Sequence, residues 1–247
     1  MRYFVDFSYH GASYHGWQAQ PNASSVQETL AQAFSLLLAT PISLMGAGRT
    51  DAGVHAKKMV AHFDSPVAID KEHLVARLNG FLPPSIAINN IREVKETSHA
   101  RFDATSRTYE YWVHTKKNPF LETTSHYVHA PLDLLAMNVA AAQLLEHTDF
   151  ECFSKSNSDV HTFLCDLYHA QWEQKETQLI FTISANRFLR NMVRAIVGTL
   201  LDIGMGKTTP ADLEKILASK SRSEAGPSVP AKGLYLKEIT YPNTIYV

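Results

Sequence analysis

An order of strand-like and helix-like segments occurs twice along the chain, and this repeat constrains the fold more than any single motif. In the first half, residues 2–10 alternate as in a strand. Ser25 and Glu28 then form a capping box before an apolar helical pattern that Pro41 ends. Strands at about 42–48 and 57–64, a helix over about 70–79 that Asn79-Gly80 ends, and a strand near 86–94 complete the order βαββαβ.

The second half repeats this order with one additional helix. It contains a strand in RTYEYWVHT, a helix over about 133–146, a hairpin that turns at Gln174 to Thr177, a helix near 188–203, a short helix after Pro210 and a strand in GLYLKEITY. Two halves of matching order predict an α+β fold of two ferredoxin-like units, residues 1–104 and 105–247, with the site in the cleft between them.

The composition is that of a globular protein. Of the 247 residues, 45% are apolar and 19% are charged, and no apolar run is long enough to cross a membrane. The start, MRYFVDFSYH, lacks the apolar core of a secretion signal, and two cysteines are too few for a disulfide scaffold. We therefore expect a cytoplasmic protein in which Cys152 and Cys165 are reduced.

The overall charge is unusual for a protein that binds nucleic acid. A formal net charge of −1 argues mildly against such binding, because phosphate contacts need lysine and arginine. Charge can be segregated, however, and Arg187, Arg190 and Arg194 lie close together with no acid before Asp202. A local basic cleft is therefore possible despite the net charge.

The stretch GAGRTDAGVHA, Gly46 to Ala56, is the strongest candidate for a site. It lacks the Lys-Ser/Thr ending of a phosphate-binding loop and the glycine that a dinucleotide fingerprint needs where Asp51 stands. Asp51 could simply cap a turn between two strands, a common role for Asp beside Gly. Such a turn does not require the additional polar and charged side chains of Arg49, Thr50 and His55. Their presence favours a functional loop.

Other candidate residues lie on the histidine-rich segments, the second-half strand and the long helix. His10, His15, His55 and His62 have no i, i+4 pair of the kind that binds zinc, so we expect no metal.

Tyr109 shares a strand face with Arg107 and Tyr111, and we expect Tyr111 to be an ordinary core residue. Arg194 has apolar neighbours on both sides, so we expect it to pair with a carboxylate. The predicted core stripe of its helix contains Leu189, Met192, Val193, Ile196, Leu200 and Ile203.

Several segments together match one known family. GRTDAGVHA, RTYEY, NRFLRNMVRAIVG and the late GLYL, with YHGWQAQPNASSVQETL near the N-terminus, resemble the tRNA pseudouridine synthase A family over nearly the whole chain. The segment AKGLYL departs from the family pattern, because it carries Lys232 where we expect an acid.

The resemblance implies an isomerase that converts uridine to pseudouridine in the anticodon stem-loop of tRNA, at tRNA positions 38, 39 and 40, without cofactor or metal. It implies the pseudouridine synthase fold, with a mixed, mainly antiparallel sheet, in a homodimer whose cleft holds tRNA. Asp51 matches the catalytic aspartate, Tyr109 the tyrosine that contacts the target base, and Arg194 the arginine that pairs with the aspartate.

Further residues are candidates for RNA contact. Arg49 and His55 could fill the gap left by a flipped base or hold the flanking phosphates. Arg187 and Arg190, with Lys57 and Lys58, are expected to line a basic cleft. Two other functions stay open at this point: a non-catalytic RNA-binding protein on the same fold, and a metal-dependent hydrolase that uses Asp51 and nearby histidines.

Overall fold

The computed structural model describes residues 1–156 and 160–247, which form two compact units. The first unit contains Met1–Thr105 and Tyr235–Val247, and the second contains Ser106–Leu234. The C-terminal segment, which the sequence analysis placed in the second half, thus packs with the first unit.

The elements follow the predicted alternation of strands and helices. In chain order they are β1 (Arg2–Tyr9), α1 (Val26–Leu37), β2 (Met45–Gly46), β3 (His55–Asp64), α2 (Lys71–Phe81), β4 (Ile86–Val94), β5 (Ser106–His114), β6 (His126–Tyr127), α3 (Leu134–Gln143), β7 (Leu167–Lys175), β8 (Gln178–Ala185), α4 (Met192–Gly204), α5 (Pro210–Ser219) and β9 (Leu234–Thr240). None of the described helices is both long and apolar enough to cross a membrane.

The sheet of the first unit has the strand order β4-β1-β3-β9. β1 pairs in antiparallel fashion with both β3 and β4. The short β2 also pairs with β3 in antiparallel fashion. β9 runs parallel to β3, with His55 opposite Tyr235. In the second unit β5, β8 and β7 form an antiparallel sheet, and β6 pairs with β5 in parallel. The predicted α+β class with a mixed, mainly antiparallel sheet is confirmed.

The predicted start of α1 is confirmed, because the Glu28 N–H donates to the Ser25 side-chain oxygen at 3.2 Å. The predicted end of α2 at Asn79-Gly80 is wrong, since the helix continues to Phe81. Asn79 serves the tertiary structure instead. Its side-chain amide donates to the Ile88 carbonyl oxygen and accepts from the Ile88 N–H, at 2.8 and 2.7 Å, which ties α2 to β4.

Two other predicted boundaries also differ. The predicted strand over 42–48 is reduced to the two residues of β2. The predicted helix start near 188 is wrong, because Asn191 has φ +68° and α4 begins only at Met192. The predicted core stripe is confirmed, since its members are at most 5% exposed: Leu189, Met192, Val193, Ile196, Leu200 and Ile203.

Candidate active site

Asp51 lies between β2 and β3, at the first position of a tight turn. The Val54 N–H donates to the Asp51 carbonyl oxygen at 3.2 Å, and Gly53, the third residue of the turn, has φ +77°. A type II turn needs a positive φ at that position, which glycine adopts without strain. A main-chain hydrogen bond and the conformation of Gly53 therefore close this turn.

A second loop, residues 10–17, supports the Asp51 turn, and we call it the support loop. The Trp17 N–H donates to the Thr50 carbonyl oxygen, and the Gly53 N–H donates to the Tyr14 carbonyl oxygen, both at 3.2 Å. Gly16 has φ +96°, and a Cβ atom there would lie 2.4 Å from the Thr50 carbonyl oxygen. The close approach of the two loops therefore requires glycine at position 16.

Side-chain contacts anchor the same turn and leave its charged residues nearer the surface. The Thr50 and Tyr9 hydroxyl groups are 2.8 Å apart and share a hydrogen bond. Asp51 is half-buried and Arg49 is exposed, whereas Ala47 and Val54 are buried. The backbone of the loop is thus anchored by Tyr9 and the support loop, while Arg49 is exposed and Asp51 is half-buried.

His55 immediately follows the turn and is only 1% exposed. Its Nδ1 accepts the Gly11 N–H at 3.0 Å, and its ring lies between those of His10 and Tyr235, with centroids 4.5 and 4.7 Å away. A groove of about 260 Å³ adjoins this stack and is lined partly by Ser8, His10, Lys57, Pro84 and Ser85. The observed contacts fix the start of β3 against the support loop, and the role of His55 toward RNA stays a prediction.

Tyr109 lies on β5 of the second unit, opposite Ile183 of β8. Its half-buried ring meets Phe188 edge to face, with centroids 5.2 Å apart. Tyr111, two residues along the same strand, is fully buried, and its hydroxyl donates to the Pro230 carbonyl oxygen at 2.8 Å. Burial raises the pKa of Tyr111 strongly, so it stays protonated, as suits the core role expected from the sequence.

Arg194 lies on the first turns of α4, between the buried Val193 and Ala195. Its Nε donates to the Val229 carbonyl oxygen at 2.7 Å, and the Val229 N–H donates to the Arg194 carbonyl oxygen at 3.2 Å. The side chain and the main chain of Arg194 are therefore both bound to the extended segment that precedes β9. This orients the guanidinium group at the N-terminal end of the helix.

Arg187 and Arg190 lie in the loop before α4, whereas the helix predicted near 188–203 would have included Arg190. The Arg187 N–H donates to the Asn186 side-chain oxygen at 2.6 Å, and Nη1 donates to the Thr162 carbonyl oxygen at 3.3 Å. Arg190 is exposed, and its carbonyl oxygen accepts the Lys155 N–H at 3.0 Å. One short loop thus holds both arginines.

The arrangement of histidine, cysteine and acidic side chains bears on metal binding. Within residues 1–156 and 160–247, no group of three or more histidine, cysteine or acidic side chains is placed to hold a metal ion. The Nδ1 atom of His62 accepts the Ala100 N–H at 3.2 Å. Burial raises the pKa of the Cys152 thiol to about 12 and that of the Cys165 thiol to about 11, so neither is prepared as a nucleophile.

Comparisons with known proteins identify the family. A family model described as tRNA pseudouridine synthase matches residues 140–242. The chain is 49% identical to the tRNA pseudouridine synthase A of Bacteroides thetaiotaomicron, over 100% of this chain and 93% of the relative. The chain belongs to the tRNA pseudouridine synthase A family. It is also 39% identical to the relative of that name from Aliivibrio salmonicida and 34% identical to that from Exiguobacterium sibiricum, over 98% of this chain in each case.

Family membership confirms the resemblance and the prediction of an isomerase of the tRNA pseudouridine synthase class. The Asp51 turn, Arg49 and His55 lie together in the first unit, whereas Tyr109, Arg187, Arg190 and Arg194 lie in the second. Lys232, which stands where an acid was expected from the family pattern, forms an ion pair. Its Nζ lies 3.2 Å from Glu122 Oε1.

The segment YHGWQAQPNASSVQETL was singled out from the sequence for its family resemblance, but the support of the Asp51 turn by residues 10–17 was not predicted. A Cβ atom at Gly11 or Gly16 would collide with the backbone of the Asp51 loop. The distances would be 2.0 Å to the Val54 carbonyl oxygen and 2.4 Å to that of Thr50.

Proposed function

We propose that this chain isomerises uridine to pseudouridine in the anticodon stem-loop of tRNA, at positions 38, 39 and 40, with Asp51 as the catalytic carboxylate. The observation that carries the proposal is the 49% identity to a relative named tRNA pseudouridine synthase A, which extends over the whole chain. The anchored, half-buried position of Asp51 supports its assignment, because a catalytic group must be held in a fixed geometry.

The reaction breaks the N1–C1′ glycosidic bond, turns the uracil and joins C5 to C1′, after which C5 loses its proton and N1 gains one. A carboxylate suits this chemistry in three ways. It can trap or stabilise the cationic sugar, add to C6 of the ring, or take a sugar proton to give a glycal. Asp51 can serve in each route, and none requires a cofactor.

The second unit supplies the other proposed catalytic groups. Tyr109 stacks on the uracil and exchanges a proton with it, and its half-buried ring on the rigid β5 is suited to that role. Arg194 is proposed to pair with the aspartate through a charge-assisted hydrogen bond. The binding of Arg194 to Val229 limits the conformations of its side chain, which favours a fixed pairing geometry.

The target uridine must leave its stack to reach the carboxylate, so the proposal includes base flipping. Arg49 and His55 are proposed to fill the gap or hold the flanking phosphates, and exposed Arg49 is the better placed for contact with RNA. Arg187 and Arg190 are proposed to bind phosphates of the stem, where recognition depends mainly on backbone shape. Such recognition allows one enzyme to modify several neighbouring uridines.

The decisive test is the variant Asp51→Asn, assayed by release of the C5 hydrogen from uridine in transcribed tRNA, with the modified positions mapped. We expect the rate to fall by on the order of 10³-fold or more, since an amide is neither nucleophile nor base. Stability should change little, because asparagine preserves the size of the side chain and the main-chain hydrogen bond that closes the turn stays in place.

Glu96→Gln is the matched control, since it removes one negative charge from a side chain that is 81% exposed in the same unit. Its rate should equal that of the parent chain. If Asp51→Asn reacted at the rate of the parent chain, the catalytic assignment would be wrong and the role of Asp51 would be structural. Conversion at other uridines would correct the proposed positions while leaving the chemistry in place.

The chain is further proposed to work as a cytoplasmic homodimer. Two ferredoxin-like halves offer open sheet edges, and a small, weakly charged monomer presents a limited surface to a ligand as large as tRNA. The reduced state of Cys152 and Cys165 that the cytoplasm imposes agrees with their free, buried thiols.

A further inference from the structure

The loop between β5 and β6 carries the most exposed large apolar side chain of the described residues. Phe120 is 90% exposed, and Lys116 and Lys117, a few residues before it, are also exposed. These residues belong to the segment KKNPFL, which we call the 116–121 loop. The mechanism proposed above assigns it no role.

Hydrogen bonds hold the 116–121 loop in one conformation. The Phe120 N–H donates to the Asn118 side-chain oxygen at 3.0 Å, and the Leu121 N–H donates to the Asn118 carbonyl oxygen at 3.2 Å. The Ser125 N–H then donates to the Leu121 carbonyl oxygen at 3.0 Å, and Ser125 is fully buried. The outward direction of Phe120 is therefore built into the backbone, as in the rigid aromatic anchors of binding surfaces.

The charge around Phe120 is positive. The nearby carboxylate of Glu122 is paired with Lys232 at 3.2 Å. Lys116 and Lys117 form no ion pair with any residue of 1–156 or 160–247. Two lysines beside an exposed ring suit a partner that has both negative charges and flat ring faces, which is the chemistry of single-stranded RNA. A contact of the loop with the same loop of a second copy is disfavoured, because it would bring the lysines of both loops together.

We propose that the 116–121 loop is an additional RNA contact, in which Phe120 stacks on an unpaired base and Lys116 and Lys117 bind the adjacent phosphates. The identity of that RNA as tRNA rests on the proposed function. Stacking on a protruding ring reads no base edge, so this contact contributes affinity without sequence preference. It would allow a chain of net charge −1 to hold a polyanion through a local basic surface.

The test measures the dissociation constant for transcribed tRNA, beside the turnover number at saturating tRNA. Phe120→Ser should weaken binding about tenfold, the size expected for one stacked base, and leave the turnover number unchanged. Phe120→Trp should retain affinity, and its added fluorescence should be quenched when tRNA binds. Lys116→Ala with Lys117→Ala should weaken binding and reduce the slope of log Kd against log salt by up to about two.

Two controls separate the loop from general effects. Phe102→Ser removes another exposed ring, one that packs on His99 with centroids 4.3 Å apart. Lys71→Ala with Lys95→Ala removes the same charge from exposed positions of the first unit. Both controls should bind tRNA like the parent chain.

Unchanged affinity in both loop variants would overturn the proposal, and so would added fluorescence in Phe120→Trp that tRNA leaves unquenched. Light scattering that shows Phe120→Ser converting a dimer to a monomer would overturn it too, and would assign the loop to contacts between copies. If the parent chain releases no C5 hydrogen, the proposed function fails instead, and the binding comparison still tests the loop.

Discussion

Gly16 and Gly48 lie in the region of the Asp51 turn, but they differ in what an added methyl group would meet. At Gly16, with φ +96°, a Cβ atom would lie 2.4 Å from the Thr50 carbonyl oxygen, whereas at Gly48 nothing lies within 4 Å. The support loop and the Asp51 loop can therefore stay in contact only if position 16 has no side chain. A single residue outside the Asp51 motif thus sets the position of the motif.

We expect Gly16→Ala to lower the free energy of unfolding by about 2 kcal/mol and to reduce pseudouridine formation, because both φ and the clash oppose the native geometry. Urea unfolding and the C5-hydrogen assay measure these effects. Gly48→Ala is the control, and its stability should stay within about 0.5 kcal/mol of the parent chain. Equal stability of the two variants would show that the support loop can move away without cost.

At the scale of elements, α4 depends on close packing against the segment Gly226–Val229. A Cβ atom at Gly198 would lie 1.8 Å from the Pro227 carbonyl oxygen, and the Gly226 N–H donates to the Thr199 hydroxyl at 2.9 Å. The same segment holds Arg194 through Val229. The helix thus positions a proposed catalytic side chain only while this segment lies against it.

Gly198→Ala should therefore destabilise the protein by about 2 kcal/mol, although alanine favours a helix over glycine by about 1 kcal/mol. The same change at Gly80, a glycine of α2 with nothing within 4 Å of its Cβ position, should instead stabilise by up to about 1 kcal/mol. Thermal unfolding of both variants measures the contrast. A stabilised Gly198→Ala would mean that Gly226–Val229 does not pack tightly on α4.

Elements whose apolar residues recur at a regular spacing could be predicted well from the sequence. Examples are α1, β4 and the core stripe of α4. The errors arose where a tertiary contact overrode a local signal. Asn79 resembles a helix stop but bonds to Ile88, and Asn191 delays the start of α4 by its left-handed conformation. The Asp51 motif could be found from residue types, whereas its support by Gly16 is a contact between loops that no period encodes.

For the whole molecule, buried histidine links stability to pH. Burial is the main cause that lowers the pKa of His62 to about 4, and the positive charge of Arg2 and the neighbouring His99 contribute. The neutral ring accepts the Ala100 N–H at Nδ1, a bond that protonation of that nitrogen would remove. Between pH 6.5 and 4 the unfolded chain therefore binds the proton and the folded chain does not, so stability falls as pH falls in this window.

We expect His62 to lower the free energy of unfolding by on the order of 2 kcal/mol as the pH falls from about 7 to about 5. Urea unfolding of the parent chain and of His62→Gln at about pH 7, 6 and 5 isolates the effect, since the other titrating groups are shared. The variant should lose less stability than the parent chain over this range. Parallel losses would assign the pH dependence to other groups.

The placement of Tyr235–Val247 in the first unit also bears on how the chain is made. Residues 106–234 are continuous in sequence, whereas the first unit is completed by residues 235–247, which are synthesised after them. During translation β3 therefore lacks its parallel partner, and His55 lacks the Tyr235 ring that stacks on it. The Asp51 loop therefore acquires its complete surroundings only after β9 has been synthesised and has paired with β3.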